Sequence, residues 1–174
     1  MNYKTKAVIL CAGLALAACA SPDRFEGQDT GMGGGGAGAG MGTGLSGSAQ
    51  DPRSPAYFQQ SIGDRVLFAV DQSTLSREAE ATLNQQADWL SSNPDYNATI
   101  EGHADEQGTR EYNLALGARR ANAVQEYLVS RGVASSRLKV VSYGKERPIE
   151  ICSDESCYQQ NRRAVTVLTA RAGS

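Results

Sequence analysis

Ala98-Thr99-Ile100-Glu101-Gly102-His103, followed directly by Ala104-Asp105-Glu106-Gln107-Gly108-Thr109 and then by the long stretch 110–130, sets the frame of this chain. The first six residues read as a strand. The polar stretch after them ends in Gly108-Thr109 and leads into a helix. Tyr112, Leu116, Val124 and Leu128 mark its inward face, and Arg131-Gly132 closes it. Toward the N-terminus, the apolar run Val66-Leu67-Phe68-Ala69-Val70 predicts another buried strand. Ser73 to Ser76 then offer caps for a helix carrying Ala79, Leu83, Ala87 and Leu90 at helical spacing, and Asn93-Pro94 stops it. Toward the C-terminus, 138–143 reads as a third strand stopped by Gly144, and 163–169, mostly β-branched, as a fourth. The order β-α-β-α-β-β predicts an α/β chain of the α+β two-layer sandwich type, with its helices on one face of a small sheet.

The 174 residues hold more than that domain. Lys4 and Lys6 precede a short apolar run, 7–15, and then Leu16-Ala17-Ala18-Cys19. The run is too short to span a bilayer, which needs about 20 apolar residues, and it reads as a signal peptide over 1–18. The Cys directly after the small pair resembles the lipobox of bacterial lipoproteins. That resemblance implies diacylglycerol on Cys19, cleavage before it and acylation of the new N-terminus. Two or more acyl chains make a stable anchor. Ala20, where an Asp would hold a lipoprotein back, implies an outer-membrane destination. The other reading is an ordinary secretory peptide with a coincidental Cys. From 20 to 55 the chain is Gly-, Ala- and Ser-rich, with too little apolar surface to offset its ordering entropy. Residues 19–56 are therefore expected to be a lipidated Cys and a flexible tether, typically spanning ~30–35 Å. Residues 57–174 are left as one domain of ordinary size.

Composition narrows the function classes. Aromatics are 6% of the chain, so an aliphatic core is expected. The formal charge is −2, and loss of Lys4 and Lys6 would make it −4, without the basic surplus of a nucleic-acid binder. Cys11 falls in the leader. Cys152 and Cys157, in the loop Cys152-Ser-Asp-Glu-Ser-Cys157, would lie outside the cytosol, where disulfides persist. They are candidates for a loop-pinning disulfide. A zinc site there would need two further ligands, and the chain has one His.

Polar density is unusual at Ala69-Val70-Asp71-Gln72-Ser73, at 101–109, and at Asn113 with Arg119-Arg120. Arg120 is four residues from both Leu116 and Val124, on the apolar stripe's own face, while Arg119 lies about 100° round. An inward Arg needs a partner. Two readings stand open: an internal Asp105–Arg120 salt bridge, or a zwitterion clamp. In the clamp, Arg120 takes a ligand carboxylate and Asp71 and Asp105 take an ammonium. Glu101, His103 and Asp105 alternate and share one strand face, but one His without a thiolate is a poor metal site. No nucleophile, base and orienter occur together, and there is no G-x-S-x-G or P-loop. Arg162-Arg163 reads as surface charge or a loop anchor.

The run 101–113, with Leu116-Gly117 and Arg119-Arg120-Ala121-Asn122-Ala123-Val124, resembles the core signature of the OmpA-like peptidoglycan-binding domain family. Val141-Ser142-Tyr143-Gly144-Lys145-Glu146-Arg147-Pro148 and Asn161-Arg162-Arg163-Ala164-Val165 resemble its closing motifs. The similarity runs from about 62 to 170. It implies a small mixed sheet and a pocket for the diaminopimelate of the peptidoglycan stem peptide, built from Asp71, Asp105 and Arg120 with Val70 and Leu116 beside them. It implies non-covalent binding, no cofactor and no metal. It also implies a tether from outer membrane to cell wall, and a TolB-type periplasmic partner with other Tol components. The two cysteines depart from the family's more usual Cys-free loop.

Overall fold

The computed structural model describes residues 47–171. The expected leader, Cys19 and the tether as far as residue 46 lie outside the described residues. The described chain starts with a segment laid against the domain. Ser54 Oγ accepts from Tyr57 N at 3.0 Å and caps the short helix α1 (Pro55–Tyr57). A wide π turn, Phe58–Gly63, follows and sinks the Phe58 ring into the core. Trp89 packs against that ring at a tilt of 59° with centroids 5.0 Å apart and donates its indole N–H to Pro52 O at 2.7 Å.

Four strands, β1 (Arg65–Leu67), β2 (Tyr96–His103), β3 (Leu138–Gly144) and β4 (Arg163–Ala170), form one sheet in the order β1-β4-β2-β3. The sheet is mixed: β4 runs antiparallel to β1 and β2, and β2 runs parallel to β3. Ala98, Ile100 and Gly102 of β2 face α3 (Arg110–Ser130), and Thr166 of β4, opposite Ile100, faces α2 (Arg77–Ser92). Both long helices therefore cover one face, as the element order requires. Leu83 and Leu90 of α2 and Val124 and Leu128 of α3 meet Ile100 in a mostly aliphatic core that also holds Phe58, Phe68 and Trp89. Each fully buried Leu or Ile there stabilises the fold by about 1.5–3 kcal/mol.

The ends of these helices follow from their sequence. Ser76 Oγ accepts from Ala79 N at 3.2 Å, and Glu78 and Glu80 favour the positive end of the α2 dipole. Arg137 closes the end of α2, its guanidinium donating to the carbonyls of Leu90 in the last turn, of Asn93 at the C-cap and of Tyr96 at the start of β2. Thr109 caps α3 by accepting from Tyr112 N, and Gly132, at φ +96°, ends it with Val133 N donating back to Leu128 O. The structure adds α4 (Glu155–Asn161) inside what the sequence suggests is a polar loop. Asp154 caps it through Ser156 N and Cys157 N. Cys152 and Cys157 are joined as a disulfide across its first turn, with Cα atoms 5.8 Å apart.

Candidate functional site

β1 ends at Leu67 rather than at Val70 because the backbone beyond it is committed elsewhere. Phe68 N still donates to Arg162 O at 2.9 Å, but Ala69 and Gln72 turn their carbonyls inward. Asp71 closes this turn at φ 55°, the one non-glycine with positive φ among the described residues. An aspartate tolerates that region better than most residues. Its carboxylate accepts from Tyr112 Oη at 3.1 Å. Tyr112 is 44% exposed, so it forms the rim of the site and does not lie on the inward face its spacing suggests. The first turn of α3 carries it past the edge of the apolar core.

Arg120 is the centre of the arrangement and is fully buried. Its Nε donates to Gln72 O at 2.8 Å, Nη1 to His103 O at 2.8 Å and Nη2 to Ala69 O at 3.1 Å, with its guanidinium carbon 5.2 Å from the Phe68 ring centroid. Three of its five N–H groups thus pin the ends of β1 and β2 to α3. Burial pushes its pKa down to about 10, an effect that the nearby Asp105 and Asp71 charges partly offset and the Arg162 charge reinforces. It remains a cation at neutral pH.

Asp105 does not pair with Arg120. Its Oδ2 accepts from Arg162 Nη1 at 3.2 Å and its Oδ1 from Gln107 N at 3.3 Å. This corrects the internal-bridge reading and the view of Arg162-Arg163 as surface charge, since both arginines are buried. The start of β4 runs beneath the loop after β2 and carries Arg162 there. Arg162 also donates to Phe68 O and forms a close ion pair with Glu155 at the mouth of the site. Arg163 is an anchor, donating to the carbonyls of Asn161 and Arg147. Asn113, buried on α3, donates to the carbonyls of Asp105 and Gln107 and holds the loop over the helix start.

His103 and Glu101 do share a face, with Nε2 and Oε2 3.8 Å apart, but Asp105 lies past the end of the strand and joins Arg162 instead. The His103 ring is buried against Tyr143, and neither nitrogen has a hydrogen-bond partner. Burial first, then the Arg163 and Arg147 charges, push its pKa down to about 4. A depressed pKa means that the unfolded chain takes up this proton before the folded one does. Stability is therefore intact above about pH 6.5 and is lost as pH falls toward 4, by about 3 kcal/mol from this group. Urea titrations from pH 7.5 to pH 4 should show that extra loss in wild type and not in His103→Asn.

The structure thus gathers Asp71, Asp105, Arg120 and Leu116 at one end of the sheet. Leu116 is buried one turn before Arg120, and Val70, half exposed, sits at the lip. Arg119 is outside, 5.9 Å over the Tyr112 ring. Sequence reasoning missed Glu155 and the pairing of Arg162. The available signal was Asn161-Arg162-Arg163 set directly before a β-branched run, where two cations on a strand entering the core need partners. A cleft of about 570 Å³, lined by Pro52, Tyr57, Trp89 and Asn93, lies at the other end of α2, away from these charges.

Residues 67–162 match the model of the OmpA family, and the chain belongs to that family. More narrowly, its relatives are peptidoglycan-associated lipoproteins. That of Rhizobium meliloti (strain 1021) is 51% identical over 161 residues, covering 92% of this chain and 85% of the relative. That of Mesorhizobium japonicum is 52% identical over 168 residues, covering 96% and 92%. The crystal structure of the peptidoglycan-associated lipoprotein from Burkholderia pseudomallei superposes with a TM-score of 0.62 at 40% identity, covering 70% of this chain and 98% of that one. The C-terminal domain of Helicobacter pylori MotB shares the fold, with a TM-score of 0.58 at 20% identity over 63% of this chain and 86% of that one.

Proposed function

We propose that this chain is an outer-membrane lipoprotein whose periplasmic domain binds the diaminopimelate of the peptidoglycan stem peptide without catalysis. In this reading it fastens the membrane to the wall as part of the Tol-Pal system that supports envelope integrity and cell division. The observation that carries the reading is one buried guanidinium, Arg120, with the carboxylates of Asp71 and Asp105 near enough to act on its charge while each is bonded elsewhere. The names of the relatives support it, as does the lipobox-like Leu16-Ala17-Ala18-Cys19.

The free end of diaminopimelate carries an ammonium and a carboxylate on one carbon. Arg120 has two N–H groups left for the carboxylate, matching its planar fork. Because Arg120 is fully buried, a carboxylate reaches it only when loop 69–72 moves aside. Asp71, strained at positive φ and hydrogen-bonded through its carboxylate to Tyr112, is where that loop gives way most readily. Asp71 and Asp105 then face the ammonium, with Val70 and Leu116 along the methylene chain. Ion pairing needs no activated nucleophile, so neither a metal nor a cofactor enters the mechanism. A TolB-type protein and other Tol components are the partners this assignment brings with it.

The test is co-sedimentation of the detergent-solubilised protein with purified walls containing diaminopimelate or lysine. Wild type should pellet with the diaminopimelate wall alone, and Asp71→Asn, which keeps shape and loses charge, should bind about tenfold more weakly. Equal pelleting with both walls, or with neither, would overturn the assignment.

A further inference from the structure

Glu155 stands outside the pocket, yet it holds the partner of a pocket residue. Arg162 directs its Nη1 to Asp105 at 3.2 Å and at 3.4 Å to Glu155, while its Nη2 lies wholly with Glu155. The fork that would otherwise close on Asp105 is turned outward. Asp105 keeps only a shared contact and the Gln107 amide. Glu155 is placed for this by its surroundings. It sits inside the six-residue ring closed by Cys152–Cys157, beside Asp154, which caps the same turn of α4. Its own pKa is held down by the hydrogen bond from Arg162.

We propose that Glu155, held by the Cys152–Cys157 bridge, is a positioning residue that draws Arg162 off Asp105 and so leaves the Asp105 charge available to a ligand ammonium. This rests on the assignment of the pocket to a zwitterionic stem-peptide end. Without Glu155, a buried cation swings fully onto Asp105, and the site carries one more net positive charge where the ammonium must go. The carboxylate end, held by Arg120, is untouched. Glu155 therefore governs selectivity between ligands that carry the ammonium and ligands that lack it.

Isothermal titration calorimetry on the full-length protein in detergent decides this, with two tripeptides. One is L-Ala-γ-D-Glu-diaminopimelate. The other has 2-aminopimelate in place of diaminopimelate, keeping the free carboxylate and losing the ammonium. Glu155→Gln should raise Kd for the first about tenfold and leave the second within twofold. Cys152→Ser with Cys157→Ser, which removes the bridge and keeps Glu155, should act in the same direction with a smaller change. A merely structural loss weakens both peptides alike, so equal loss of both, or loss of neither, in Glu155→Gln overturns the positioning role. If Glu155→Gln is selective and the serine pair matches wild type, the bridge has no part in it. If wild type itself binds neither peptide, the pocket assignment falls and this role falls with it. Wild-type binding with a non-selective variant removes the role alone.

Discussion

Arg120→Ala is expected to cost about 3–5 kcal/mol of folding stability, before any ligand is considered. The substitution deletes a fully buried cation and takes one donor from each of the carbonyls of Ala69, Gln72 and His103, of which Ala69 O keeps Gln72 N at 3.2 Å. Each unsatisfied buried acceptor costs about 1–3 kcal/mol, reduced where water can enter the vacated space. The Phe68 ring also loses the cation 5.2 Å from its centroid. With a urea slope of about 2 kcal/mol/M, the unfolding midpoint should fall by about 2 M. Arg120→Lys should lie between, because it retains the charge and loses the planar fork. A midpoint shift below about 0.5 M for Arg120→Ala would mean that the three carbonyls find water easily and that the residue is held for its ligand alone. A large shift means that lost wall binding in Arg120→Ala reports unfolding as much as recognition, which is why the binding test rests on Asp71.

Gly102→Ala should be comparably damaging for a purely steric reason. A Cβ there would lie 1.8 Å from Gly117 O and 2.6 Å from Gly117 C, both backbone atoms of α3, so no side-chain rotation relieves it. On the other side, a Cβ on Gly117 would lie 2.8 Å from Gly102 O and 2.4 Å from Ser142 Oγ. The two glycines form one contact at which the helix backbone rests on the sheet. Adding a methyl forces α3 off β2, at about 3 kcal/mol, the upper part of the usual range for overpacking. In a domain of this size that is about 10 °C in Tm by calorimetry. A loss under 2 °C would show that α3 slides without cost.

The sequence patterns that predict α2, α3 and the four strands are apolar repeats and short apolar or β-branched runs, and the largest difference in a strand boundary is the end of β1, at Leu67 and not Val70. Leu83, Ala87 and Leu90, or Leu116, Val124 and Leu128, specify a face by themselves. Arg120 is legible as an inward residue because it sits on the apolar stripe, and Asp105 stands out only as part of the polar stretch before the cap Thr109. The rest is long-range. Arg162 is 57 residues from Asp105, and nothing local marks a buried Arg as the partner of a distant carboxylate. α4 buries only Cys157 and Asn161 over seven residues, so it carries no periodic signal, although Asp154 as a cap was readable. Tyr112 keeps perfect spacing with Leu116, yet it lies past the core, and spacing carries no information about where a sheet ends.

The place where the chain enters the domain bears on how it carries load. Pro52 is held by Trp89, in the last turn of α2, while the loop that grips Arg120 lies just before the first turn of the same helix. A helix of that length spans about 24 Å, so a pull from the N-terminal side acts at the pole opposite the gripping loop. Residues 48–57 would meet that pull first; the Trp89 hydrogen bond and the packing of Pro55 and Tyr57 hold them to the domain, while the Ser54 hydrogen bonds are internal to the segment. Phe58 behind them is buried in the core. Tension therefore strips the outer segment and stops at the Phe58 ring. In the proposed tether the freed segment would reach at most about 35 Å end to end, a shock absorber in series with a folded domain.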